Sequence, residues 1–430
     1  MTKEKNNGKM IAIVTMCFIF AMISFVTNMG APFGNIWGFT YPWAGMMGNM
    51  MNFAAYLFMG IPAGNMLVKY GYKKTALIAL IVDVVGLAIQ YTSSIFGADI
   101  AVFEYDGQIV ALNLIIYLLG AFICGFCVCM LNTVVNPMLN LLGGGGNKGN
   151  QYIQIGGTLN SLTGTLTPLL TGMLVGTLTK DTTMSAVAPL LFVGMAVFTI
   201  SFFIIAKVNI PEPQAEVKEK IKATSPLKFR HTVLGIIAIF FYVGVEIGIP
   251  AELNFYISNL TKDGKIIEGA STIGGSFAAA YWLLMMSGRF LSSFISGKVS
   301  TKVQMTVVSV LAIALLLFAV FMPSDVTSDF NGIPVPIKCF AIAACGLCTS
   351  IMWGGIFNLA VEGLGKYTAP ASGLFMTMVV GGGIMPLIQR QVSLHIDPIT
   401  SYWVIIAMVA YILFYALVGC KNVNKDIKVD

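Results

Sequence analysis

Twelve long apolar runs account for most of this chain, and each is long enough to cross a membrane as a helix. A spanning helix needs about 20 mostly apolar residues, and 18 or more without a charge make a candidate. The runs, called spans one to twelve, cover residues 10–28, 44–68, 75–95, 109–142, 151–178, 184–206, 232–259, 269–287, 303–321, 339–361, 367–389 and 400–420. A membrane β-barrel would instead show short segments that alternate in hydrophobicity. We therefore predict an all-α polytopic membrane protein with twelve transmembrane helices.

The amino-acid composition agrees with this class. Charged residues make up 10% and apolar residues 57% of the chain, whereas a soluble domain has about 25% charged residues. This balance excludes a soluble enzyme, a disordered chain and a nucleic-acid-binding domain. The lipid bilayer is therefore an expected partner, and no nucleic-acid partner is expected.

Lysine and arginine residues indicate the orientation of the helices, because short cytoplasmic loops carry an excess of both. With the N-terminus inside, 20 of the 25 basic residues fall on the cytoplasmic side. The five on the outer side are Lys180, Lys262, Lys265, Lys338 and Arg390. Both termini are thus predicted to be cytoplasmic, with the protein in the plasma membrane. The first apolar run is too long for a cleaved signal peptide, so we interpret it as span one.

The longest polar cytoplasmic stretch, residues 208–231, divides the spans into six and six. We expect an N-terminal six-helix bundle over residues 1–207, this linker, and a C-terminal six-helix bundle over residues 232–430. Matching Cys-x-x-Cys motifs in spans four and ten, at residues 124–127 and 345–348, add a weak internal repeat. Parallel repeats of this kind are typical of two bundles related by an axis along the membrane normal.

The eight cysteines do not indicate a disulfide framework, because seven lie within predicted spans and Cys420 ends the last one. Neither Cys-x-x-Cys motif has a histidine nearby, so we expect small packing residues and not a metal or redox site. The two histidines, His231 and His395, lie near span ends. No nucleophile–histidine–acid set can be assembled, so neither an enzyme nor a cofactor is expected.

Three acidic residues fall inside the spans: Asp83, Glu246 and Glu252. A charge at the bilayer centre costs roughly 2.5–3.5 kcal/mol on insertion scales, so retained charges usually face a cavity. Glu246 lies in the middle of span seven, where we expect either a protonatable cavity carboxylate or a neutral structural one. Asp83 is either a proton-relay group or a helix-packing group. Glu252 lies nearer the outer end, where a solvated vestibule is expected.

Amide side chains cluster on spans one, four and five, and they offer both donors and acceptors to a polyhydroxylated solute. They are Asn28, Asn132, Asn136, Gln154 and Asn160. The alternative role is hydrogen bonding between helices, worth roughly 0.6 kcal/mol for each bond. Trp353 is followed by two glycines, so its ring could stack on a sugar or fill a helix interface.

Short motifs along the chain resemble those of one transporter family. In order, they are Ile61-Pro62-Ala63-Gly64, Asn136-Pro137, Thr158-Leu159-Asn160-Ser161-Leu162, Phe241-Tyr242-Val243-Gly244-Val245-Glu246, Gly288-Arg289-Phe290, Ile356-Phe357-Asn358-Leu359-Ala360 and Ser372-Gly373-Leu374. On these motifs the chain resembles the fucose–galactose–glucose:proton symporter family of the major facilitator superfamily. The loop after span two is similar to the signature loop of that superfamily, with Val68 in place of the usual acidic residue.

The resemblance implies both a fold and an activity. The fold would be two pseudo-symmetric six-helix bundles, and the activity would be import of a hexose or deoxyhexose with proton symport across the bacterial inner membrane. Asn28 and Asn132 stand where the family has acidic residues, and Gln154 stands where it has an asparagine. Glu246 is the matching carboxylate that remains. The protein is expected to work as a monomer.

Our hypothesis is alternating access, in which the two bundles rock about a site near the bilayer midplane. Sugar hydroxyls would bond to the amides of spans one, four, five and ten, namely Asn28, Asn132, Asn136, Gln154, Asn160 and Asn358. Trp353 would stack on the sugar. Glu246 would take a proton from the outer side and release it inside, with Asp83 as a second candidate for proton coupling.

Three alternatives remain open on the sequence alone. The loss of the two family carboxylates is compatible with an uncoupled uniporter, or with a carrier of another small polar solute such as a glycoside or small peptide. A membrane receptor that binds sugar without moving it belongs to a different class, and measured flux would exclude it. A membrane enzyme is the least favoured.

Overall fold

The computed structural model describes residues 3–175, 183–210, 222, 224–262, 265–330, 332–424, 426–427 and 429. Helices dominate these residues, as the apolar runs predict. They are α1 (Lys3–Thr40), α2 (Met47–Ile95), α3 (Leu112–Gly143), α4 (Gly146–Val175), α5 (Ala188–Lys207), α6 (Arg230–Ser258), α7 (Ala270–Ile295), α8 (Thr301–Phe321), α9 (Lys338–Thr349), α10 (Met352–Ala360), α11 (Thr368–Thr377), α12 (Gly381–His395) and α13 (Tyr402–Phe414).

Within the described residues, three short antiparallel hairpins join helices in loops predicted to face outward. They are β1–β2 (Ala101–Tyr105 and Gln108–Ala111), β3–β4 (Thr261–Lys262 and Lys265–Ile266) and β5–β6 (Thr327–Phe330 and Ile333–Pro336). The turn of the first hairpin is Asp106-Gly107, with φ angles of 52° and 71°. A two-residue turn of this type needs positive φ at both central positions, which Asp-Gly adopts readily.

Nine helices of the described residues are long and apolar enough to cross a membrane. One of them, α2, covers both span two and span three, because the two helical segments are separated by one non-helical residue, Gly71 (φ 79°). Spans five and eight are also helical, as α4 and α7, although they are not among the nine. The helices thus follow all twelve predicted spans, except that span five beyond Val175 lies outside the described residues.

Spans ten and eleven are broken helices. Span ten divides at residues 350–351 into α9 and α10, and span eleven divides into α11 and α12 at a short 3-10 segment, Met378–Val380. A break inside the membrane frees backbone carbonyls that other groups must satisfy. At the first break, the carbonyl of Ser350 accepts from Arg289 Nε at 3.1 Å.

The chain forms two compact units. The first unit comprises residues 1–142, 159–225 and 366–377, and the second comprises residues 143–158, 226–365 and 378–430. The start of α4 and the whole of α11 therefore belong to the unit opposite to their predicted half of the chain. The division into bundles over residues 1–207 and 232–430 stays a prediction. Residues 211–221 and 223 of the predicted linker lie outside the described residues.

Close helix contacts in the first unit depend on glycine. A Cβ added to Gly373 of α11 would lie 2.6 Å from the carbonyl oxygen of Gly60 on α2, and one added to Gly64 would lie 3.0 Å from the Cα of Gly373. Small residues allow helix backbones to approach in this way inside a membrane. All eight cysteines are buried, and none is paired in a disulfide.

Candidate functional site

The two predicted site amides of α3 are buried in the first unit. Asn132 is 5% exposed, and its Nδ2 donates to the hydroxyl of Tyr56 at 2.9 Å. Asn136 is buried, and its Nδ2 donates to the carbonyl of Asn132 at 2.9 Å. Each side chain therefore uses its amide nitrogen as a hydrogen-bond donor to a protein group.

Pro137 of α3 leaves a backbone carbonyl without its helical partner, and a distant helix supplies another partner that the sequence did not indicate. Pro137 has no N–H, so the carbonyl of Thr133, four residues earlier, loses its helical hydrogen bond. Ser372 of α11 donates its hydroxyl to that carbonyl at 3.1 Å. A contact between residues 239 positions apart gives no local signal in the sequence.

Asn28 and Asn160 both lie where α1 meets α4 in the first unit. The Nδ2 of Asn28 donates to the carbonyl of Ser24 at 2.8 Å, and the Nδ2 of Asn160 donates to the carbonyl of Phe20 at 2.8 Å. Both side chains are half-buried. Within the described residues their Oδ1 atoms have no hydrogen bond, so each keeps an acceptor for a ligand hydroxyl.

Asp83 is completely buried in α2 of the first unit, and neither carboxyl oxygen has a hydrogen-bond partner among the described residues. The thiols of Cys124 and Cys127 lie beside it. A buried acid without a counter-ion is far more stable neutral than ionised. The structure therefore places Asp83 in a setting that suits a neutral helix-packing group.

A small cavity in the first unit shares Cys124 with the surroundings of Asp83. Its polar borders are Asn52, Gln90 and Tyr117, and its volume is about 20 Å³. A single water needs roughly 10–15 Å³ of such space. The cavity can hold water, but it is too small for a hexose.

Glu246 of α6 forms an ion pair with Arg289 of α7 in the second unit, with 3.0 Å between Oε1 and Nη2. The two side chains are only 14% and 10% exposed. Arg289 also donates from Nε to the carbonyl of Ser350 at the break between α9 and α10. This site therefore holds a carboxylate with its counter-ion, anchored to a broken helix.

Arg289 is the functional residue that the sequence interpretation missed. The apolar run of span eight ends at residue 287, so Arg289 was counted among the basic residues of the cytoplasmic side. The helix α7 continues to Ile295 and carries Arg289 into the buried part of the unit. The signal was present in Glu246 itself, because ionisable residues within membranes usually pair with one another.

Gln154 and Trp353 lie in the same part of the second unit as the ion pair. The Nε2 of Gln154 donates to the carbonyl of Ile351 at 3.1 Å, and Trp353 meets the ring of Tyr242 edge-on at 6.3 Å. Tyr242 precedes Glu246 by about one helical turn. Asn358 is placed apart from them, because its Nδ2 donates to Thr301 Oγ1 at the start of α8.

The expected solvated position of Glu252 is wrong. Its side chain is 4% exposed, it accepts a short hydrogen bond from the Ser393 hydroxyl, and it pairs with Arg390 at 3.4 Å. The guanidinium of Arg390 also stacks on the ring of Phe255. The partners on α12 cover the carboxylate, which nearness to a helix end did not indicate.

The structure thus groups the predicted site residues by unit. Asn28, Asn160, Asn132, Asn136 and Asp83 lie in the first unit, in three separate settings. Gln154, Trp353 and Glu246 lie together in the second unit. Among the described residues, no group of three or more His, Cys, Asp or Glu side chains is arranged to hold a metal ion.

Comparisons with known proteins all indicate the same family of proteins. A model of the Major Facilitator Superfamily matches residues 11–387. The chain is 28% identical to the "Glucose/galactose transporter" of Brucella abortus biovar 1 (strain 9-941), over 98% of this chain and 96% of that protein. It is 27% identical to the "Putative glucose/galactose transporter" of Helicobacter pylori (strain ATCC 700392 / 26695), over 98% and 99%.

Solved structures share the fold at lower sequence identity. The crystal structure of the E. coli fucose:proton symporter has a TM-score of 0.78 at 18% identity and covers 95% of this chain and 98% of its own. The structure of a proton:xylose symporter bound to 6-bromo-6-deoxy-D-glucose has a TM-score of 0.67 at 10% identity, over 96% of this chain and 95% of its own. At these identities the likeness is one of fold.

Proposed function

The chain belongs to the major facilitator superfamily, and we propose that it imports a monosaccharide, a hexose or deoxyhexose, by alternating access in symport with protons. Curated relatives that match nearly its whole length are named as glucose/galactose transporters. A more distant relative, 21% identical over 90% of this chain, is named as the L-fucose-proton symporter of Escherichia coli (strain K12). The observation that carries the coupling is the buried pair of Glu246 and Arg289 beside Trp353 and Gln154.

We assign sugar recognition first to polar side chains that keep an unused hydrogen-bond acceptor. Asn28 and Asn160 are half-buried, their donors are used, and each retains an Oδ1 acceptor for a sugar hydroxyl. Trp353 is also half-buried, and its ring can stack on the C–H face of a sugar. Four buried amides stay predicted sugar ligands: Asn132, Asn136, Gln154 and Asn358. Their hydrogen bonds to protein groups favour the alternative role, which is to hold helices together.

Proton coupling falls to Glu246. A carboxylate ion-paired with arginine is held ionised, and a proton that reaches it removes the charge that the pair needs. One charge moving through 100 mV gains about 2.3 kcal/mol, which corresponds to roughly a 50-fold concentration gradient, because each 1.4 kcal/mol is tenfold. This drive is sufficient to accumulate sugar in a cell.

The protein is an integral membrane protein, and the finer assignments are proposals. We propose that it lies in the bacterial inner membrane with both termini in the cytoplasm and works as a monomer. The excess of basic residues in the loops predicted to be cytoplasmic supports this orientation.

The test is uptake of radiolabelled D-glucose, D-galactose and L-fucose into proteoliposomes. We expect accumulation when the outside is made more acidic than the inside, and exchange without accumulation when the pH is equal. If the pH gradient does not change accumulation, the proposal of proton coupling is wrong. Counterflow without accumulation under any gradient would support a uniporter, and binding without flux would support a receptor.

A further inference from the structure

Arg289 lies at the meeting point of three helices and a helix break. Its Nη2 bonds to Glu246 of α6 at 3.0 Å, and its Nε bonds to the carbonyl of Ser350 at 3.1 Å. On its other side is α4, where a Cβ added to Gly157 would lie 3.4 Å from Arg289 Cδ. The backbone of α4 at position 157 therefore lies beside the arginine side chain, with room for little more than a methyl group between them.

The start of α4 is held in the second unit by amide side chains. The Nε2 of Gln154 bonds to the carbonyl of Ile351 at 3.1 Å, and the Nε2 of Gln151 bonds to the carbonyl of Ser293 at 2.9 Å. The Nδ2 of Asn150 bonds to Ser296 Oγ at 3.3 Å. These bonds join the start of α4, which is predicted to be cytoplasmic, to the C-terminal end of α7 and to the break in span ten.

Alternating access requires such contacts to break on one side of the membrane. In rocking transporters, helices of one predicted half separate from helices of the other when the site opens. Because the amide bonds of α4 join the two predicted halves of the chain, we expect an inward-opening step to release them. Arg289 lies immediately beside these bonds, because it holds the carbonyl of Ser350 next to the Ile351 carbonyl that binds Gln154. Among the described residues, it is also the side chain that forms an ion pair with Glu246.

We propose that Arg289 couples protonation of Glu246 to release of the start of α4. With Glu246 ionised, the guanidinium is fixed between the carboxylate and the Ser350 carbonyl, and its side chain lies beside position 157 of α4. Protonation removes the countercharge of a guanidinium that itself stays charged. Arg289 then leaves the Ser350 carbonyl, and the surface on which α4 rests is lost. Arg289 acts as a positioning residue, and its role in transport rests on the function proposed above.

The charge state at this site depends on few groups. Among the described residues, the titratable side chains that interact with Glu246 are Arg289, Tyr242 and Tyr281. Tyrosine and arginine keep their protonation states across the physiological range. Glu246 is therefore the group whose proton changes the pair.

A reporter at the α4 contact can measure the release directly. Ser293→Cys places a thiol at a side chain that is 8% exposed, in the residue whose carbonyl binds Gln151. In inside-out vesicles, we would measure its reaction with a membrane-impermeant maleimide as a function of pH, with and without D-galactose. The protein without the reporter gives the background, which should be low because its eight cysteines are buried.

In the reporter background, we expect labelling to rise about tenfold as the pH is lowered, within the range typical of coupling between sites. Arg289→Gln should make labelling high and independent of pH, and Arg289→Lys should keep part of the pH dependence. Arg230→Gln, at an exposed arginine, is the matched control and should behave as the parent.

The same pH dependence in Arg289→Gln as in the parent would overturn the proposal. Should Arg289→Gln fail to fold, the double variant Glu246→Gln with Arg289→Gln removes both charges, and labelling of that protein must be independent of pH. The labelling is read without sugar as well as with it. If the parent moves no sugar, the proposed function fails, whereas the pH dependence without sugar still decides the role of Arg289.

Discussion

Asp83 and Glu246 are acids in the middle of predicted spans, but their surroundings differ. Asp83 in the first unit has thiols beside it and no hydrogen-bond partner among the described residues, whereas Glu246 in the second unit has an arginine at 3.0 Å. An isolated buried acid stays neutral, and a paired acid stays ionised. Only the paired acid offers a change of charge that a proton can produce, so the comparison favours Glu246 for coupling.

The units also share a device, which makes this difference more informative. Lys73, in the turn after span two, donates to the carbonyls of Ala206 and Val208 at the end of α5, at 2.8 and 2.7 Å. Lys302, in the first turn of α8, donates to the carbonyl of Leu417 near the end of span twelve at 2.8 Å. Each unit thus has a lysine that holds the end of a predicted span, whereas among the described residues a buried pair of glutamate and arginine in mid-span is found in the second unit.

The largest effect is expected from Glu246→Gln on proton-driven accumulation. The variant has no carboxyl proton to exchange. The sugar accumulation of roughly 50-fold that 100 mV of driving force can support should therefore be lost. Accumulation of labelled galactose in proteoliposomes under an imposed pH gradient measures this. Glu268→Gln, at an exposed acid, is the control and should accumulate normally. Normal accumulation by Glu246→Gln would assign the coupling elsewhere.

The next effect is an asymmetry in stability between the two partners of the pair. Glu246→Gln leaves a buried guanidinium that cannot lose its charge, at a cost of about 3–5 kcal/mol. Arg289→Gln leaves an acid that can take up a proton, so its cost should be smaller. Thermal unfolding in detergent compares the variants, and the double variant should be more stable than Glu246→Gln. Equal destabilisation by the two single changes would contradict an ionised pair.

Glu252→Gln should have an intermediate effect. The amide keeps an acceptor for Ser393, and the Arg390 side chain is 32% exposed, so water can solvate its charge. We expect a loss of about 1 kcal/mol in unfolding free energy, typical of one hydrogen bond to a buried group, with accumulation retained. Loss of accumulation with normal stability would give Glu252 a coupling role.

The smallest effect is expected from Asp83→Asn. If the acid is neutral, the amide replaces it with little change of charge or volume, so the stability should change by less than about 1 kcal/mol. Proton-driven accumulation should be retained. Loss of accumulation with intact counterflow would show instead that Asp83 relays protons, and the contrast between the two acids would disappear.

The fold was predictable because the membrane imposes it. Apolar length alone placed twelve helices, since a backbone in hydrocarbon must satisfy its own hydrogen bonds. The turn at Gly71 falls in the gap that the sequence leaves between predicted spans two and three. The breaks in spans ten and eleven were not predictable, because the broken helices remain as apolar as intact ones.

The site was predictable only in part. Glu246 could be chosen from the sequence because a buried acid is expensive, but its partner lay just outside the apolar window of span eight. The bond from Ser372 to Thr133 and the burial of Glu252 depend on packing between distant segments. Periodicity and hydropathy describe one segment at a time, so they do not contain that information.

The glycine contact between α2 and α11 has a consequence for rates. Gly60, Gly64 and Gly373 touch through bare backbone, so no side chain has to leave a rotamer well or find a new one when these helices slide or part. Motion at such a surface meets little internal friction. A bulky residue at position 373 would therefore be expected to slow turnover even where the sugar still binds with its normal affinity.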